Sequence, residues 1–175
     1  SVVIGQGVKT VGSYAFANLK NLRTVEINAE LNRLGSGANY GCTALSDLEG
    51  IEGVRVIGGE CFRGCSGLSA IGIPTGCTSV GSYAFAGTAI KSVSVPSSVV
   101  SLGEGAFASC RKLAYAELPS GISKVSASLF SGCTALEAFF VKDDGSYGGA
   151  SLTVEAKAFS GCSTLRELVI YTRAD

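Results

Sequence analysis

The chain has 175 residues and 46% of them are apolar, which is core material for one domain and too much for a disordered segment. Fourteen Lys and Arg balance fourteen Asp and Glu, so the net charge of zero argues against nucleic acid or an anionic membrane surface as partner. His, Met and Trp are all absent, which excludes Ser-His and Cys-His nucleophiles and His-ligated metal sites. From the start of the chain, VVIGQGVKTVG at Val2 superposes without a gap on VEINAELNRLG at Val25, LEGIEGVRVIG at Leu48 and IGIPTGCTSVG at Ile71. VSVPSSVVSLG at Val93 and AELPSGISKVS at Ala116 continue the series. Each begins with a brief apolar alternation, as in Val25 and Ile27 or Val93 and Val95, which predicts one short strand per unit. Pro74, Pro96 and Pro119 follow the alternation directly and act as its stop. Strands are therefore expected near Val2, Val25, Leu48, Ile71, Val93, Ala116, Phe139 and Leu168.

After each of these stretches comes a Gly and then an aromatic, as in GSYAFA from Gly12 to Ala17. That span has room for a single helical or 3-10 turn and no more. The aromatics fall at Phe16, Phe62, Phe85, Phe107, Phe130 and Phe159, in steps of 46, 23, 22, 23 and 29. The doubled first step places a missing member at Asn39, beside Tyr40. A second ladder of Leu22, Leu45, Leu68, Ile90, Leu113, Leu136 and Leu165 runs in the same register. A unit this small cannot bury its apolar side alone, so copies must stack at the strand spacing of about 4.8 Å. The expected fold class is an α/β repeat: a solenoid with one parallel sheet of about eight short strands, and short 3-10 or helical turns on the other side. Residues 1–175 read as a single domain of about seven 23-residue repeats. Neither end carries the polar cap that a solenoid end requires, so the chain reads as a fragment of a longer array. No apolar run approaches the roughly 20 residues of a membrane span, and membrane insertion of this segment is not expected.

The pattern AFxxC, then Leu, then IxIP and VxxIG resembles the BspA-type, or treponemal-type, leucine-rich repeat. GECFRGCSGLSAIGIP, from Gly59 to Pro74, follows it throughout. Asn39 in the aromatic slot, Leu19 and Thr88 in the Cys slot, and a six-residue insertion before Phe159 depart from it. The resemblance implies a curved leucine-rich repeat solenoid. It also implies large bacterial or protist proteins, extracellular or at the cell surface, that recognise a host or neighbouring-cell protein or glycan.

Five of the seven cysteines, Cys42, Cys65, Cys110, Cys133 and Cys162, share the third position after the aromatic slot with Leu19 and Thr88. A slot open to Cys, Leu and Thr is small and buried, and a reduced thiol there acts as a small hydrophobe. A bridge between adjacent rungs is the alternative, and zinc at Cys61 and Cys65 a weaker one, since no second pair matches it. Cys77 falls in the apolar slot of Val8 and Leu31. Gly12, Gly35, Gly58, Gly81 and Gly103 recur at one slot and are read as turn glycines with positive φ. Asp143 and Asp144 lack the spacing of a calcium loop and read as a solvated turn. No metal or cofactor site and no catalytic residue is assigned.

Strand residues that point away from the core form columns across the rungs, and these are the expected recognition surface. The first rows are acidic, with Glu26 and Glu49 one rung apart. Acid/base work is open to such a pair in principle, but an exposed sheet face explains it without further assumption, and both are assigned, with Glu117, to the ligand-binding face. The later rows carry Tyr115, Glu117, Phe140 and Tyr171. Tyr147 lies in the inserted KDDGSYGGASL segment, which should rise beside Phe140. Exposed aromatics supply contact area at low entropy cost, so Tyr115, Phe140, Tyr147 and Tyr171 form the candidate cluster. The alternative is that a loop or a further repeat covers Phe140. Two functions follow: a non-catalytic recognition or adhesion module binding protein or glycan through the sheet face, or a structural spacer with no ligand of its own.

Overall fold

The computed structural model describes residues 1–142 and 152–170. The alternating stretches form β1 (Val2–Ile4), β2 (Thr24–Ile27), β4 (Asp47–Glu49), β7 (Ser92–Ser94), β9 (Tyr115–Pro119), β11 (Ala138–Lys142) and β13 (Glu167–Ile170). Two-residue strands alternate with them: β3 (Arg33–Leu34), β5 (Val56–Ile57), β6 (Ser79–Val80), β8 (Ser101–Leu102), β10 (Lys124–Val125) and β12 (Thr153–Val154). All pairing is parallel, and Val25 opposite Leu48 and Ala116 opposite Phe139 reproduce the register of the repeat. The register steps by 23 from Tyr115 to Ala138 but by 29 from Lys124 to Thr153, which places the extra residues between β11 and β12.

The expected single sheet of eight strands is not what forms. The sheet face divides into β1-β2-β4 and β7-β9-β11-β13, and the Ile71–Ile73 stretch between them is not a strand. Gly50 explains one side of the break. It occupies the inward slot filled by Ile27 and Val95, its φ is +74°, and a Cβ there would sit 2.0 Å from the Ile27 carbonyl oxygen. The backbone therefore leaves the strand path after Glu49. On the next rung Gly72 contributes no side chain to the face, and a glycine in that position weakens a strand further.

A second parallel ladder, β3-β5-β6-β8, runs along the flank, extended at one end by a bridge between Val11 and Leu34. It buries Leu34, Ile57, Val80 and Leu102. The VxxIG stretches that form it are too short to display an alternation, so a period-two reading does not mark them as strands. The glycine that follows each of them needs correction too. Gly12, Gly35, Gly58, Gly81 and Gly103 do not have positive φ; a Cβ at Gly12, on the first rung, would meet nothing within 4 Å, whereas one on each of the other four would lie 2.3–2.6 Å from the backbone of the preceding rung. Those four are required for close approach. Ser126 stands in the same slot, its Oγ donates to the Leu102 carbonyl at 2.5 Å, and there the ladder gives way to the separate pair β10-β12.

The third side contains no helix among the described residues, against the expected 3-10 or helical turns. Residues two before and two after the aromatic slot have positive φ instead, for example Glu60 and Gly64 around Phe62, and Tyr83 and Gly87 around Phe85. This turns successive amides in alternate directions. Arg63 N–H bonds back within the turn to Glu60, whereas the N–H groups of Glu60, Phe62 and Gly64 donate to Ser82, Ala84 and Ala86 on the next rung at 2.7–2.8 Å. A helical turn would keep its hydrogen bonds within one rung; this one spends half of them on stacking.

Inside, Phe62, Phe85, Phe107, Phe130 and Phe159 form a column with centroids 5.4–5.7 Å apart and planes within 13° of parallel. Asn39 interrupts it as the repeat indicates; it is buried, and its Oδ1 has no hydrogen-bond partner. The cysteine slot does more than fill space. Cys42, Cys65, Cys110, Cys133 and Cys162 each donate Sγ–H to the carbonyl of the aromatic-slot residue one rung back, at 3.0–3.2 Å. Thr88 in the same slot bonds its hydroxyl to Phe85 O at 2.9 Å. Burial raises Cys65 to about 12 and Cys61 further, so these sulfurs stay thiols at neutral pH. Cys110→Ala is expected to cost on the order of 1 kcal/mol, through a small void and the weak sulfur contacts to Phe85 O and Thr88 Oγ1. Equilibrium denaturation measures this, and complete unfolding of the variant would mean that a bond or ion rather than packing holds the slot. Titration of denatured protein without reductant should likewise find seven reactive thiols.

Candidate functional site

Parallel pairing without slippage sets Tyr115 directly beside Ala138 and Glu117 beside Phe140, all facing away from the core. Tyr115 is 37% exposed and Phe140 half-buried, with ring centroids 5.4 Å apart and planes tilted by 33°. Tyr115 leans along its own strand so that its hydroxyl donates to Glu117 Oε2 at 2.7 Å. The other oxygen, Oε1, accepts from Ser94 Oγ at 3.2 Å, with Lys142 Nζ at 3.6 Å. The carboxylate thus braces three neighbouring strands and fixes the aromatic pair above them.

Charge follows from this geometry. The Tyr115 hydrogen bond, then Ser94 and Lys142, hold the Glu117 carboxyl below its ordinary range, and the same carboxylate pushes the Tyr115 phenol up to about 12. A carboxyl whose folded pKa is lowered contributes stability above its unfolded pKa, and that contribution is lost as pH falls through the folded value. Tyr115→Phe is therefore expected to raise the Glu117 pKa toward that of a free glutamate, which carbon-detected NMR titration reads. An unchanged value would mean that the hydroxyl is not the main influence.

The acidic rows lie elsewhere on the face. Glu26 and Glu49 are register partners on β2 and β4, and Glu26 Oε1 accepts from Asn28 Nδ2 at 2.8 Å. The break at Gly72 separates them from the Tyr115 cluster and opens a cleft of about 470 Å³ lined by Asp47, Glu49, Ser69 and Ser92. The strand alternation did not reveal this cleft, because its cause is the torsion of Gly50 rather than a side chain. Tyr147 and Tyr171 fall outside the described residues. The structure thus brings together Tyr115, Phe140 and Glu117 and adds Ser94 and Lys142 to them.

Sequence comparison bears on the repeat itself. The BspA type leucine rich repeat region matches residues 1–114 and 40–166 in six copies. The chain belongs to the BspA-type leucine-rich repeat family. No curated relative matches it. Among solved structures, a leucine-rich repeat protein from Bacteroides ovatus ATCC 8483 superposes with a TM-score of 0.86 at 25% identity, over 95% of this chain and 45% of that one. The T. pallidum leucine-rich repeat protein gives 0.80 at 29% identity, over 91% and 72%. One from Eubacterium ventriosum ATCC 27560 gives 0.66 at 18% identity, over 94% and 58%, which shows the fold alone. This BspA-type chain spans less than half the length of the Bacteroides ovatus protein. As a BspA-type repeat it is consistent with a binding or scaffold module.

Proposed function

We propose that the chain is a non-catalytic recognition module that binds a protein or glycan of a host or neighbouring cell through its sheet face, as part of a longer extracellular or cell-surface array. The observation that supports this is the Tyr115–Phe140 pair, fixed by Glu117 with Ser94 and Lys142 around it. Aromatics held before binding lose little side-chain entropy on contact, and a hydrogen-bonded carboxylate beside them adds directional selectivity.

Beads coated with the purified chain and presented to cultured epithelial cells and to neighbouring bacteria test the reading. Tyr115→Ala with Phe140→Ala should reduce adherence at least tenfold while leaving the melting transition close to that of the parent. Equal adherence of parent and variant beads would remove the sheet-face patch as the site. Absence of adherence by the parent would leave the spacer reading in its place.

A further inference from the structure

The turn face carries a groove of about 330 Å³ whose floor has almost no side chains. Gly41, Gly64 and Gly87 occupy the same slot on three successive rungs, all with positive φ, and Ala86 and Ala108 complete the floor. Tyr40, Arg63 and Tyr83 form its walls. Neighbouring contacts hold these side chains in place. The guanidinium of Arg63 lies 5.3 Å from the Tyr83 ring centroid and pairs with Glu60. Glu60 accepts in turn from the Tyr14 hydroxyl at 2.8 Å, and the Tyr83 hydroxyl donates to Glu104 at 3.0 Å. Tyr14 meets Tyr40 edge-on at 6.1 Å. None of these groups belongs to the sheet-face cluster, and core packing does not account for a half-exposed tyrosine that reaches across Gly37 to a carboxylate two rungs away.

We propose that this groove is a second binding site, for a linear oligosaccharide laid along the solenoid axis. Two features of the floor select that class. First, the amides of Gly41, Gly64 and Gly87 are already committed to Arg63, Ala86 and Ala108 on the next rung, each at 2.8 Å. An extended peptide laid there would find no free main-chain donor and would leave its own C=O groups unmatched. A pyranose ring has no such requirement, since its hydroxyls lie around its edge and its C–H faces are apolar. Second, the apolar floor and phenol-and-guanidinium rim match that division of polarity, and ring faces of tyrosine pack against C–H surfaces at low entropy cost. Three rungs span about 10 Å, enough for two linked sugar rings and too long for a single one.

The test is a titration of isotopically labelled protein with cellohexaose, xylohexaose, chitohexaose and mannohexaose at millimolar concentration, alongside an unstructured peptide of similar length. At least one hexasaccharide should shift the amides of Gly41, Gly64 and Gly87 in a saturable way, and the peptide should not. Tyr83→Ala should weaken binding at least tenfold. Gly64→Asn should abolish it by placing a side chain on the floor, and it should fold, because Asn18 holds the same slot with φ of +60°. Tyr115→Ala should leave this binding unchanged, which separates the site from the sheet-face reading. The proposal is overturned if none of the four sugars moves the glycine amides, if Gly64→Asn binds as the parent does, or if the peptide binds and the sugars do not.

Discussion

Phe107→Ala should cost about 3 to 5 kcal/mol of folding stability, in the range for truncating a fully buried aromatic. Phe107 has no solvent exposure and stacks on Phe85 on one side and Phe130 on the other, at 5.5 and 5.6 Å. Its neighbours cannot collapse into the void, because each rung is pinned on either side by the amide bonds of the turn, with Phe85 N–H on Ala106 O and Phe107 N–H on Leu129 O. Phe16 gives the contrast. It is half-buried, and Asn39 rather than a ring follows it in the column, so Phe16→Ala should cost clearly less. Urea denaturation of both variants decides; equal losses would contradict a stack in which rungs contact only their neighbours.

Gly81→Ala is the second large effect expected, from the addition of one carbon rather than the loss of a six-carbon ring. The new Cβ would lie 2.3 Å from Gly59 N, 2.7 Å from Gly59 Cα and 2.8 Å from Gly58 C. All three are backbone atoms, so no side chain can swing aside. The rungs would have to separate, stretching the 2.8 Å bond from Gly81 N–H to Ile57 O and those beside it. Overpacking costs about 1 to 3 kcal/mol and each hydrogen bond weakened adds up to about 1 kcal/mol, so a loss of about 3 kcal/mol is expected. Gly76→Ala is the control, since nothing lies within 4 Å of its Cβ position. It should change stability by less than about 0.5 kcal/mol. If the two variants melt alike, the close approach of the rungs is not what keeps glycine at this slot.

These two positions also show where the sequence is legible. The aromatic, leucine and cysteine ladders could be read because each marks a buried column with its own volume, and burial repeats whenever the rung repeats. The sheet-face residues could be read from period-two alternation, which is how Tyr115, Glu117 and Phe140 come out on one side. The glycine slot was found but its cause was not: positive φ and close backbone approach both demand a missing Cβ, and a sequence does not say which. The residues that do have positive φ include Tyr14, Glu60, Tyr83, Ser128 and Lys157. Nothing in those side chains marks the torsion, because hydrogen bonds to the next rung offset its cost. For the same reason the turn-face arrangement of Tyr40, Arg63 and Tyr83 follows no strand or helix period and could not be anticipated.

The break at Gly72 cuts only one of the three sides of the solenoid. Across those same rungs the flank ladder β5-β6-β8 is continuous, and so are the turn amides from Phe62 to Ala84 and from Phe85 to Ala106. A beam joined along two edges and slit along the third is stiff in extension and compliant in flexure, with its bending concentrated at the slit. The distance between the Glu49 and Ser94 rows is then the coordinate most easily changed by a load, whereas the spacing of the phenylalanine column stays fixed. A ligand spanning both half-sheets would act on that angle rather than on the spacing of the phenylalanine column.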